Sequence, residues 1–120
     1  MAWIRIAAVV GFLGVALGAF GAHGLRGKVP DKMLSAYETG VLYHLIHAVA
    51  ILALALHAHR EQRSVSAPAG AMLTGVVLFS GSLYLMAITG ITRFGMITPF
   101  GGVAFLVGWS LVFVKLGRAS

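Results

Sequence analysis

The sequence predicts an all-α membrane protein, an up-down-up-down bundle of four transmembrane helices. Three observations carry that prediction. Four apolar stretches, residues 3–22, 36–57, 69–91 and 99–116, fill most of the 120-residue chain, and each is close to the roughly 20 residues that cross a bilayer. Hydrophobic residues make up 59% of the chain and charged residues 10%, with a mean hydropathy of +0.95. A soluble domain carries about 25% charged residues, so this chain has too few to cover a water-facing surface. The nine basic and three acidic residues fall near or beyond the ends of the stretches, as expected where a mid-membrane charge costs at least about 2.5–3.5 kcal/mol. Residues 1–120 read as one domain with no separate soluble module.

The first stretch follows Arg5 and ends in small residues, a pattern shared with secretory signals. Its apolar run is long for a signal core, so it reads as a retained first helix. Along it lies a stripe of small residues, Ala7, Gly11, Gly14, Gly18 and Gly21. Spacings alternating between three and four follow a coiled-coil seam, and in lipid such a face lets two backbones approach closely. No strand precedes the glycines, so they are not a phosphate-binding loop.

A polar connection from His23 to Ser35 contains Gly24, Gly27 and Pro30. Asp31 is expected to cap a short interfacial turn. Ser35 and Glu38 then form a capping-box pattern at the start of the second helix. That helix ends in His57, His59 and Arg60, which suit the negative end of the helix dipole. Ser66 and Pro68 mark the start of the third helix, and Gly90 marks its end. Arg93 falls in a tight loop. Thr98 and Pro99 read as N-cap and first helical residue of the fourth helix. Gly101, Ala104 and Gly108 give that helix a small face, and Trp109 is placed away from the membrane surface. Short connections make neighbouring helices antiparallel.

An even number of spans puts both termini on one side, with Arg5, Arg60, Arg63, Lys115 and Arg118. Arg26, Lys28, Lys32 and Arg93 lie on the other. The small excess places both termini in the cytoplasm. The net charge of +6 is spread singly over the helix ends, where each cation anchors to anionic headgroups for about 1 kcal/mol. Membrane lipids are therefore the expected partners, and nucleic acid is not.

No cysteine is present, which excludes disulfides, iron–sulfur clusters, thiolate metal sites and cysteine nucleophiles. The chemistry-bearing residues gather on the second helix. Tyr43 and His47 lie about 40° apart on the helical wheel with His44 nearby, and polar groups at that depth turn toward the bundle interior. Ser80, Ser82, Tyr84 and Thr89 on the third helix are their expected partners, and His23 is expected near Glu38. The favoured reading is a hydrogen-bond network that fixes helix register, at about 0.6 kcal/mol per contact. The competing reading is a ligand pocket lined by His23, Glu38, Tyr43 and His47. Haem fits poorly, because histidines three apart on one helix cannot supply both axial ligands. A zinc or copper site on His44 and His47 lacks a local carboxylate or thiolate. Ser80 and Ser82 lack a nucleophile-elbow motif and an acidic partner. No metal, cofactor or catalytic residue is assigned.

Longer strings are recognisable. Residues 18–25 (GAFGAHGL), Tyr43 with His47 and Ala48, residues 78–84 (LFSGSLY) and residues 97–105 (ITPFGGVAF) resemble the transmembrane protein 256 family, also called domain of unknown function 423. The resemblance spans the first helix through the fourth. It implies a small integral membrane protein of about four helices, found in bacterial inner membranes and in eukaryotes, and implies no activity. His23, Tyr43, His47, Ser80, Ser82, Tyr84, Thr98 and Pro99 match the family pattern. His44 departs from it, since glutamine is common there, which weakens any metal site needing both histidines. The chain is expected to be a non-enzymatic structural or accessory component that joins copies of itself or a larger complex. Its small-residue faces exceed what one bundle needs. The alternatives are a lipid-like or small-ligand binding or transport protein and a haem- or metal-binding redox subunit. Small multidrug exporters have a similar length, but they depend on a carboxylate in the first helix, and none is present here.

Overall fold

In the computed structural model, which describes residues 2–117, the apolar stretches form helices α1 (Ala2–Leu25), α2 (Asp31–Glu61), α3 (Ser66–Thr89) and α4 (Thr92–Leu116). All four are long and apolar enough to cross a membrane, and the described residues contain no strand. Arg118 of the orientation argument lies outside the described residues. At 1.5 Å per residue, α2 is about 46 Å long, against roughly 30 Å of hydrocarbon. Its polar ends therefore reach the headgroup regions, and the molecule extends 47 Å along its long axis.

The boundaries follow backbone chemistry. Pro30 is extended, with φ −56° and ψ 146°, and its carbonyl accepts the Leu34 N–H at 3.0 Å. The helix therefore starts at Asp31, whose carboxylate favours the positive dipole end. This corrects the expectation of a separate turn followed by a capping box. Ser35 is inside the helix, where its carbonyl accepts from Thr39 Oγ1 at 3.0 Å. Glu38 turns outward to Arg26, 3.3 Å away. At the far end Gln62 takes a left-handed conformation (φ 54°) and donates its N–H to the Ala58 carbonyl. Gly90 closes α3 as expected, with φ 75° and its N–H on the Met86 carbonyl at 2.9 Å.

The fourth span begins with a 3-10 turn, Thr92–Met96, before its α-helical part opens at Thr98. Pro99 sits in the first turn, as expected. Thr98 does not cap its own helix. Its hydroxyl meets Ser82 Oγ of α3 at 2.5 Å instead. Wide i→i+5 turns end α1 (Gly21–Leu25), interrupt α3 (Val76–Ser80) and end α4 (Val112–Leu116).

Two glycine-lined seams pair the helices. Along α1, Gly11, Gly14, Gly18 and Gly21 meet Ala48, Leu45, Val41 and Tyr37 of α2 in turn, an antiparallel order. On the second seam Gly101 lies against the Phe79 backbone, Gly75 under the Phe105 ring, and Gly108 beside Met72. That pairing of α3 with α4 is antiparallel as well. Helices α2 and α3 form the central pair, joined where Gly40 meets Ser80, Leu83 and Tyr84. Their most apolar windows are 39% and 44% buried, against 22% for α1 and 17% for α4. The stripe on α1 and the small face on α4 are thus consumed inside the bundle. This removes the expected surplus of small-residue surface.

Candidate functional site: a buried imidazole network

Two histidines one turn apart on α2 are buried, each facing a different pair of helices. His44 lies between α1 and α3. Its Nε2 is 2.7 Å from the Val10 carbonyl and its Nδ1 is 2.8 Å from the Tyr84 hydroxyl. A carbonyl only accepts, so Nε2 carries the proton, and in the neutral ring Nδ1 accepts from Tyr84. Glycine makes this approach feasible: a Cβ on Gly14 would fall 3.1 Å from His44 Cδ2 and 2.6 Å from Leu45 Cδ2.

His47 takes the opposite tautomer. Its Nε2 accepts the Trp109 indole N–H of α4 at 3.0 Å, so Nδ1 carries the proton and donates to the Tyr43 carbonyl at 2.7 Å. The ring stacks on Phe105, with centroids 3.7 Å apart and planes inclined by 11°. Phe105 in turn covers Gly75. Trp109 was absent from the expected site residues. The available signal was an indole donor well inside a span, which needs an acceptor where water cannot supply one.

The same device recurs at two other crossings. Tyr37 donates to the Leu17 carbonyl of α1 at 2.5 Å, with its ring packed where a Cβ on Gly21 would sit. Ser80 donates to the Gly40 carbonyl of α2 at 2.6 Å. Each contact adds a side-chain donor to a helix carbonyl, using its second lone pair. Tyr37 and His44 are seven residues apart, as are Leu17 and Val10, so both bonds repeat along one seam.

The expected partners therefore divide. Tyr84 binds His44, Ser80 binds the α2 backbone, and Ser82 binds Thr98 of α4. Thr89 bonds only locally, donating to the Leu85 carbonyl and accepting the Ile91 N–H. Tyr43 joins the aromatic group through its ring, 4.7 Å from Phe79 and 6.1 Å from Phe105. His23 is exposed at the end of α1, and Glu38 is paired with Arg26 at the surface, so neither lines a pocket with His47. Among the described residues no three of His, Asp and Glu converge on a common point. Both nitrogens of His44 and of His47 are already occupied, so ligating a metal there would first break one of these bonds.

Comparison with known proteins follows the same outline. The family model described as "Protein of unknown function (DUF423)" matches residues 17–102. The UPF0382 membrane protein YwdK of Bacillus subtilis is 46% identical over 114 residues, covering 93% of each chain. A UPF0382 membrane protein of Haemophilus influenzae is 43% identical, over 89% of this chain and 86% of its own length. The UPF0382 inner membrane protein YgdD of Escherichia coli is 42% identical, over 90% of this chain and 83% of its own length. No solved structure matches. Family match, relatives and four apolar helices agree, and this chain belongs to the DUF423 family of small multi-pass membrane proteins.

Proposed function

We propose that this protein is a non-catalytic structural or accessory component that associates, through its α2–α4 face, with a transmembrane helix of a second copy or of a larger membrane complex. The observation that carries the reading is Tyr43. Its residue is 39% exposed, it lies within one turn of the midpoint of α2, and its hydroxyl has no hydrogen-bond partner among the described residues. The hydroxyls of Tyr37, Ser80, Ser82 and Tyr84 and the imidazoles of His44 and His47 are matched within the chain, whereas the buried Nε2 of His57, near the end of α2, has no partner among the described residues. An unmatched hydroxyl in hydrocarbon costs free energy that a partner helix can recover. About two turns farther along α2, Ala50, Ala53 and the half-exposed Trp109 line a shallow cleft, a small-residue surface of the kind that helices pack against in lipid. Occupied imidazoles favour structure over catalysis. The proposal includes both termini on the cytoplasmic side, supported by the sequence count of five basic residues at that end (Arg5, Arg60, Arg63, Lys115 and Arg118) against four at the other.

Crosslinking and native mass spectrometry in mild detergent test the association. The expected result is a species larger than one chain that is lost in Tyr43→Phe combined with Ala50→Leu. A strictly monomeric protein with no co-purifying partner contradicts the proposal.

A further inference from the structure

A second feature lies across the bundle from Tyr43. Helices α1 and α3 do not close over α2 along the whole of their length. Between them runs a lateral groove of about 550 Å³, walled by Ile6, Val9 and Leu13 on one side and by Leu73, Val77 and Gly81 on the other. His44 and Tyr84 lie at its floor. Their polar atoms are spent on each other and on the Val10 carbonyl, so the floor of the groove offers hydrocarbon and no free donor. A ligand with buried carbonyls, such as a quinone head, would find nothing to hold it.

Its only charged lining residue is Arg5. Arg5 makes no ion pair among the described residues, where the pairs are Arg26–Glu38 and Arg60–Glu61. It lies in the first turns of α1, next to Trp3, whose indole donates to Ser66 at the start of α3. Trp at a helix end marks the headgroup level. From Arg5 to Leu13 the groove descends about 12 Å, and from Leu73 to Tyr84 about 16 Å, at 1.5 Å per residue. One leaflet of hydrocarbon is about 15 Å deep. The groove therefore starts at a headgroup-level cation and ends near the bilayer midplane.

Length selects the occupant. A spanning helix needs the whole roughly 30 Å of hydrocarbon, about twice the length of the groove. An acyl chain beneath a headgroup-level cation reaches only as deep as one leaflet. We infer that the α1–α3 groove holds one acyl chain of an anionic phospholipid, with the lipid phosphate on the Arg5 guanidinium. Guanidinium suits this role because its planar fork meets phosphate oxygens in two parallel hydrogen bonds. The inference does not depend on whether the chain joins a complex, since the groove and the Tyr43 face lie on different sides of α2.

The test uses the intact protein in nanodiscs of equimolar phosphatidylglycerol and phosphatidylcholine with identical acyl chains, released for native mass spectrometry. The protein is expected to retain one phosphatidylglycerol preferentially. Arg5→Gln should reduce that preference about fivefold, the equivalent of roughly 1 kcal/mol for one cation at the surface. Arg93→Gln, at the opposite membrane face, should leave it unchanged. Gly81→Leu fills the groove, and a Cβ there meets nothing within 4 Å, so the variant should fold normally and lose the retained lipid. Val77→Trp, at a position 61% exposed, blocks the same space independently. Equal retention of the two lipids, an equal effect of Arg93→Gln, or lipid kept in both groove-filling variants overturns the inference.

Discussion

His44 shows how one side chain joins three helices. It belongs to α2, donates to a carbonyl of α1 and accepts from a hydroxyl of α3. Glutamine can do the same, with its amide N–H donating and its amide oxygen accepting. His44→Gln should therefore leave stability within about 0.5 kcal/mol of the parent. His44→Leu abandons the Tyr84 hydroxyl and should cost about 1–2 kcal/mol, near the upper end of membrane hydrogen bonds. Reversible unfolding in mixed micelles measures both, and equal losses for the two variants would show that ring shape, not bonding, matters at this position. The sequence made this site partly legible. Polar residues deep in an apolar span must find partners, which marked His44, His47, Ser80 and Tyr84. It left Trp109 without a partner and read Thr98 as a helix cap, because a carbonyl or hydroxyl across a seam depends on helix register, which periodicity alone does not set. It also paired Ser35 with Glu38 on a local pattern, although Pro30 starts the helix earlier and frees Glu38 to meet Arg26.

Among the elements, the seams are set by what glycine leaves absent. On α4 a Cβ at Gly101 would enter the backbone of Phe79, whereas one at Gly81 meets nothing. Backbone cannot move aside as a flexible side chain can, so Gly101→Ala should destabilise the α3–α4 pair by about 1–3 kcal/mol. Gly81→Ala should be neutral or stabilising by up to about 1 kcal/mol, the ordinary gain from replacing glycine in a helix. Thermal unfolding in one detergent, comparing the pair, checks this, and the opposite order would mean that the seam is not as close as described. The α1 stripe was readable from spacing alone, because small residues at three- and four-residue intervals have one evident use in lipid. What spacing left open was the partner. It suggested surplus surface for other proteins, while the structure uses Gly11, Gly14, Gly18 and Gly21 against α2.

For the whole molecule, hydrocarbon as solvent explains the design. Lipid tails are as apolar as the side chains, so burying leucine gives little net drive between helices. Association inside the bundle rests on close packing at glycine and on hydrogen bonds that have no water to compete with them. The central pair α2 and α3 accordingly holds His44, His47, Ser80 and Tyr84 in its interior. The outer helices mainly supply close-packed small residues and, at Val10, Leu17, Thr98 and Trp109, one partner each for the central side chains. Four spans and their connections followed from hydropathy. The groove between α1 and α3 did not, since hydropathy along one helix does not set how two others pack against it.

His44 and His47 are neutral, internally satisfied and opposite in tautomer. Nitrogen-15 magnetic resonance of histidine-labelled protein in lipid bilayers at neutral pH tests it most directly. The expected result is a proton on Nε2 of His44 and on Nδ1 of His47, with the His47 signal shifted in Trp109→Phe and the His44 signal unmoved. Doubly protonated rings, rapidly exchanging tautomers, or a His47 signal indifferent to Trp109 would contradict it.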